Sequence, residues 1–234
     1  MALDVYVMPL WRFKAGDFEA PIEQNLRLEP SVVSVDGVEK PSRRRTGGLA
    51  RWLHRSRARR EVRAVRKAVE AANRVKVRWK DEGPVAYSHQ SPGMEALRAY
   101  ARWLDCRDRF PTFDAPPERD YYKHPVMNVQ LANPTCAHLI GHSCFNGYYL
   151  PADFEQVAEV EPYLVFGYWP AKRQVGSSVR LLKELDLIQK DLQSPSANSL
   201  HPSDPLVAVK VAYLQLREIA ELSCEHGLPI IFHG

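Results

Sequence analysis

The chain has 234 residues, 45% hydrophobic and 10% aromatic, which excludes a disordered or fibrous protein and suffices for a core without disulfides or metal. Its net charge of +4 hides an asymmetry, because residues 43–80 carry +13 and the remainder −9. No stretch approaches the roughly 18 apolar residues that span a bilayer, so no membrane partner is expected. The start lacks a basic leader and the four cysteines show no paired spacing, so a reducing, cytoplasmic setting is the expectation.

Residues 3–13 read as a first strand. Leu3, Val5 and Val7 fall on one face and Asp4, Tyr6 and Met8 on the other. Pro9 cannot donate to a ladder, so the strand bends there or lies at an edge. Residues 31–35 suit a short strand. Residues 40–48, basic and ending in Gly47-Gly48, suit a linker. Residues 49–73 read as a helix with an apolar stripe of Ala58, Val62, Val65, Val69 and Ala72. Residues 75–79 alternate apolar and basic, as a half-wet strand does, and 85–87 are expected to pair back on them as a hairpin.

Ser91-Pro92 has the chemistry of a helix start: the serine accepts orphan N–H groups and proline fits the first helical position. Met94, Leu97, Ala101 and Leu104 then form its buried stripe. Residues 163–169 read as a strand or buried loop ended by Pro170. Ser177 or Ser178 opens a helix carrying Leu181, Leu182, Leu185 and Ile188. Residues 194–202 suit a loop. Residues 204–226 form the most apolar helix, capped by Gly227 and followed by a last strand at 228–232.

The stretch 136–154 concentrates the chemistry. It holds Cys136, His138, His142 and Cys144 beside Gly141 and Gly147. Asn146-Gly147 reads as a turn pair, residues 148–150 as a strand, and Asp153 as the first turn of a helix carrying Phe154, Val157 and Ala158. Three chemical readings compete. Cys136, His138, His142 and Cys144 are zinc-ligand types, although C-x-H-x3-H-x-C lacks paired knuckles. Cys144 with His142, or with a distant histidine, is a candidate thiol nucleophile and base. The favoured reading is a buried turn with inert cysteines. No metal and no cofactor are expected.

The segment His142-Ser143-Cys144-Phe145-Asn146-Gly147, followed by Leu150-Pro151-Ala152-Asp153, resembles an H-S-D-C-D-G segment in a group of bacterial proteins of uncharacterised activity. The helix at 94–104 and the close His226-Gly227-Leu228-Pro229 resemble that group's Leu-Arg-rich helix and helix-Gly-strand ending. The likeness covers about residues 85–234. Cys144 and Asn146 stand where the group has aspartates, so the resemblance implies no carboxylate-dependent role here.

Phosphate-loop, dinucleotide, nucleophile-elbow and zincin motifs are all missing. The expectation is a single α+β domain over 1–234, a small mostly antiparallel sheet packed by helices, with a basic helical insertion at 40–74. A non-enzymatic binding protein that neutralises or regulates another macromolecule, as an immunity protein does, fits best. The alternatives are an enzyme built around His142 and Cys144 and a non-specific nucleic-acid binder. Residues 43–67 carry ten arginines and one lysine. Arginine grips carboxylates and phosphates with a planar fork. Arg55, Arg57, Arg59, Arg60 and Arg63 are therefore expected to hold an acidic protein or nucleic acid.

Overall fold

The computed structural model describes residues 3–16, 48–83, 86–90, 93–116, 120–143, 146–165, 169–192, 204 and 206–233. The expected strand at 31–35, the 40–47 linker, the Ser91-Pro92 helix start, the 194–202 loop and Cys144 lie outside them.

The period-two patterns become six strands: β1 (Leu3–Val7), β2 (Ala86–Gln90), β3 (Asn146–Leu150), β4 (Ala158–Val165), β5 (Trp169–Ser177) and β6 (Ile230–His233). They form one sheet in the order β2-β1-β6-β3-β5-β4. Every neighbouring pair is antiparallel except β3 and β5. The helices are α1 (Leu10–Lys14), α2 (Gly48–Asn73), α3 (Met94–Leu104), α4 (Ala137–Gly141), α5 (Ser178–Asp191) and α6 (Val207–His226). The fold is α+β with helices packed on a mostly antiparallel sheet, as the sequence pattern predicts.

Because successive side chains point to opposite faces of a strand, the central strands feed two cores. Val5, Val7, Tyr149, Ile230 and Phe232 meet Leu97, Leu139, Leu181, Leu185 and Leu216 from α3, α4, α5 and α6. Tyr6, Met8, Tyr148, Leu150 and Ile231 meet Leu10 of α1 and Val62, Val65 and Val69 of α2 on the other face. The sheet thus separates the basic α2 from α6.

On α6 the buried residues are Val209, Ala212, Tyr213, Leu216, Ile219, Ala220 and Ser223, at helical steps of three and four. At roughly 1.5–3 kcal/mol for each large side chain fully buried, this stripe anchors one layer. Gly227 ends the helix in the left-handed region, φ 68°, where glycine carries no Cβ penalty. Ser177 caps α5: its hydroxyl accepts the Arg180 N–H at 3.1 Å.

Four local expectations need correction. Residues 75–79 do not pair with 85–87; β2 lies along β1, with Tyr6 opposite Tyr87. The alternation at 75–79 instead records Val77 and Trp79 pressed into the α2-side core. The strand at the start ends at Val7 and has neighbours on both sides, so Pro9 marks the entry to α1 and not an edge. Asn146-Gly147 opens β3 and is no turn. Asp153 starts no helix: its carboxylate is held by Arg180 and, at 3.0 Å, by Lys183, and the chain runs on into β4. There buried Ala158 and Val160 flank exposed Glu159, a strand period.

Candidate functional site

The turn predicted to carry chemistry is short. Gly141 closes α4 and His142 leaves it in extended backbone, so His138 and His142 do not share a continuous helix. Cys136 precedes α4 without capping it. The cap comes from α5: the Glu184 carboxylate accepts the N–H groups of His138 and Leu139, each at 2.8 Å.

His138 is tied on every side. Its Nδ1 accepts the Ser177 N–H at 3.0 Å, its Nε2 donates to the Glu155 carbonyl at 3.1 Å, and its own carbonyl accepts the Tyr149 hydroxyl at 3.0 Å. This fixes one neutral tautomer, and burial pushes its pKa down to about 4. His142 is fully buried and stacks on Tyr149 with ring centroids 4.3 Å apart. Burial, then the Arg98 charge, pushes its pKa down to about 3. Burial, then the Glu184 charge, pushes the Cys136 thiol up to about 12. Near neutral pH these are neutral imidazoles and a protonated thiol. A set so engaged joins α4, β3, β5 and α5.

Of the residues singled out from sequence, the structure brings Cys136, His138 and His142 into one buried turn. Among the described residues, no group of three or more His, Cys, Asp or Glu is placed to hold a metal. Sequence reasoning missed Glu184, Ser177 as a partner of His138, and the Tyr149 hydroxyl. The signal for Glu184 was available: it sits three after Leu181 and four before Ile188, a carboxylate inside an apolar stripe.

Two charged surfaces lie on opposite sides of the sheet. On α2 the arginines are partly consumed by the protein itself. Arg55 and Arg59 lie over the Trp11 ring, 5.7 and 5.4 Å from its centroid. Arg57 pairs with Glu61 at 3.2 Å, and Arg66 covers Trp79 at 4.5 Å. Trp11 in turn donates its indole N–H to the Asp81 carbonyl at 2.7 Å. Arg60 and Arg63 are exposed.

The other surface is the wet side of α6. Glu218, Glu221 and Glu225 are exposed there, opposite the buried stripe. Asp186 of α5 joins them through Arg217, which bonds Asp186 at 2.6 Å and Glu221 at 2.8 Å. With that one guanidinium counted, the four carboxylates leave a local charge of −3. At about 1.5 Å rise per residue, the three glutamates span about 10 Å, or one charge per about 5 Å. A single DNA strand presents one charge per about 3.4 Å of helix axis. Among the described residues, no helix is long and apolar enough to cross a membrane.

An α+β scaffold that carries a row of exposed glutamates on a docked helix has the character of a binding protein. The family model described as "Putative DNA-mimic protein" matches residues 1–232, and the chain belongs to this family. Neither the curated proteins nor the solved structures compared with it gave a match.

Family membership corrects the expected partner. A DNA mimic shows a DNA-like, acidic surface to proteins that bind DNA, and such partners are themselves basic where they meet it. The expectation that Arg55, Arg57, Arg59, Arg60 and Arg63 hold an acidic protein or nucleic acid is therefore overturned. The physical error was to read arginine density as a binding surface. Two of those arginines clamp Trp11 and a third pairs within its own helix.

Proposed function

We propose that the protein binds a DNA-binding protein without catalysis and occupies its DNA site, with Glu218, Glu221, Glu225 and Asp186 standing in for backbone phosphates. The observation that carries this reading is the row of exposed glutamates on a helix whose opposite side is fixed in the core. Carboxylates presented from a rigid helix lose little freedom on binding, which is the advantage of a preorganised surface. Lysines and arginines that contact phosphates find acceptors of the same sign at comparable spacing.

The net charge of +4 requires the mimicry to be local. The partner is neutralised at its DNA site, which keeps the immunity-like sense of the sequence expectation while reversing the sign of the surface. Chromosomal DNA-binding proteins act in the cytoplasm of a bacterium, and this reading places the protein there.

The test immobilises the protein, passes host lysate over it, and elutes with a short DNA duplex at constant ionic strength. Competition at a shared site predicts release of a DNA-binding protein by the duplex, and loss of its capture by the E218Q/E221Q/E225Q/D186N variant. Capture that the duplex does not reverse, or that the neutralised variant retains, overturns the proposal.

A further inference from the structure

The row of glutamates on α6 is not uniform. Glu218 and Glu225 make no ion pair among the described residues, and Glu221 between them does. Arg217, one turn before Glu221, donates through Nε to Glu221 Oε1 at 2.8 Å. Through Nη1 it donates to Asp186 Oδ1 of α5 at 2.6 Å and to the Tyr213 hydroxyl at 3.2 Å. Tyr213 is buried. One guanidinium therefore joins carboxylates from two helices and is itself tied to the core.

An exposed ion pair ordinarily contributes little, because two long side chains are ordered for a contact that water screens. The arrangement here differs. A guanidinium is a rigid plane, so three contacts around it fix its orientation and the direction of each carboxylate. Each carboxylate spends one oxygen on it, Oδ1 of Asp186 and Oε1 of Glu221, which leaves Oδ2 and Oε2 for an outside donor. The side chain of Arg217 is 28% exposed, against 53% for Asp186 and 55% for Glu221. The cation lies lower than the two anions it holds, and an approaching protein meets the carboxylates first.

In charge alone Arg217 works against a basic partner. The four carboxylates carry −4 and Arg217 reduces this to −3. Without it, Asp186 and Glu221 sit on separate helices, repel each other and must be ordered by the partner at the moment of binding, which costs affinity. We propose that Arg217 is the positioning residue of the acidic face: it holds Asp186 and Glu221 as a fixed pair between Glu218 and Glu225, ready for the phosphate-binding side chains of a DNA-binding protein. This rests on the reading that the face occupies a DNA site. Positioning and simple charge predict opposite signs when Arg217 is removed.

The experiment titrates the full chain with a synthetic arginine-rich helical peptide, which stands for a phosphate-contacting surface, at low and physiological salt. Melting curves confirm that each variant is folded. Arg217→Gln is expected to bind about tenfold more weakly although its face is more negative, with the loss in the dissociation rate. Its salt dependence is expected to steepen, because one more carboxylate is unpaired, which damage to the fold does not produce. Arg217→Lys keeps the charge and loses the planar fork, and is expected to be weakened as well. Equal or tighter binding by Arg217→Gln overturns the proposal, as does a loss without steeper salt dependence, or wild-type affinity in Arg217→Lys. Should Arg217→Gln not fold, Arg217→Lys alone decides. Wild type that binds no more tightly than the E218Q/E221Q/E225Q/D186N variant removes the acidic-face reading itself, and this inference with it.

Discussion

His142 occupies the space that a side chain at position 147 would need. A Cβ built on Gly147 stands 2.7 Å from His142 Nε2 and meets the backbone carbonyl of Gln174 on β5 as well. The imidazole lies flat between this bare stretch of β3 and the Tyr149 ring. Glycine is required here by the close approach of neighbours.

Gly147→Ala is therefore expected to destabilise the fold by about 3 kcal/mol, the upper part of the range for overpacking. Urea denaturation gives the value. Removing the imidazole in the His142→Ala background should recover only part of it, because the Gln174 carbonyl belongs to the β3/β5 ladder and cannot move aside. A near-neutral Gly147→Ala would show that β3 and β5 are not held this closely.

The pH profile of stability follows mainly from the buried groups shifted furthest, His138, His142 and Glu184. His138 and His142 have folded pKa values below 6.5, so the unfolded chain takes protons first as pH falls. Their contribution is complete above 6.5 and is lost as pH falls through about 4 and 3. Glu184 is raised above 4.5, so its contribution is complete below 4.5 and is lost as pH rises through about 7. Between pH 4.5 and 6.5 these two histidines oppose one glutamate, and buried His124, which burial also holds below its ordinary value, adds to the rise. Unfolding free energy should rise by at least about 2 kcal/mol. Denaturation curves across that window test it, and a flat or falling profile would contradict the assignment. In Glu184→Gln the rise should be steeper.

Trp11 and the arginines above it predict how α2 is held. Trp11→Ala removes a ring packed against the α2-side core and the indole bond to Asp81, at an expected cost of about 3 kcal/mol. The Arg55→Ala/Arg59→Ala double variant removes only the stacking and should cost about 1 kcal/mol. Thermal or urea melting separates the two. Equal effects would mean that the arginines, rather than the ring, fix the helix.

The parts of this fold that were legible are those in which burial alone decides the pattern. Val5 and Val7 against Tyr6 and Met8, the Ala58-Val62-Val65-Val69 stripe, and the α6 helix with its Gly227 cap all follow from one-face burial. Pairing was not legible. Val77 and Trp79 alternate as a strand does, yet the Val77 N–H donates to Glu70 at 3.2 Å and the Lys80 N–H to the Gly227 carbonyl at 2.8 Å. Alternation reports which side chains face inward and is silent on which backbone lies alongside. At the site, the histidines stood out by type. Their partners Glu184, Ser177 and Tyr149 come from other elements, and no local spacing encodes them. The acidic face of α6 was visible as polar spacing, but the denser basic run drew attention away from it, toward an acidic partner that family membership contradicts.

Placing α2 and α6 across the sheet makes the molecule an electric dipole with a small positive monopole. Salt screens both faces beyond the Debye length, about 8 Å in physiological salt, so a basic target of the proposed kind would feel either face only near contact. On that reading, capture depends on arriving with α6 foremost. A misoriented approach is rejected, because α2 then faces a surface of its own sign. This geometry trades encounter rate for a built-in check on orientation, unlike a uniformly acidic decoy, which is attracted from any side.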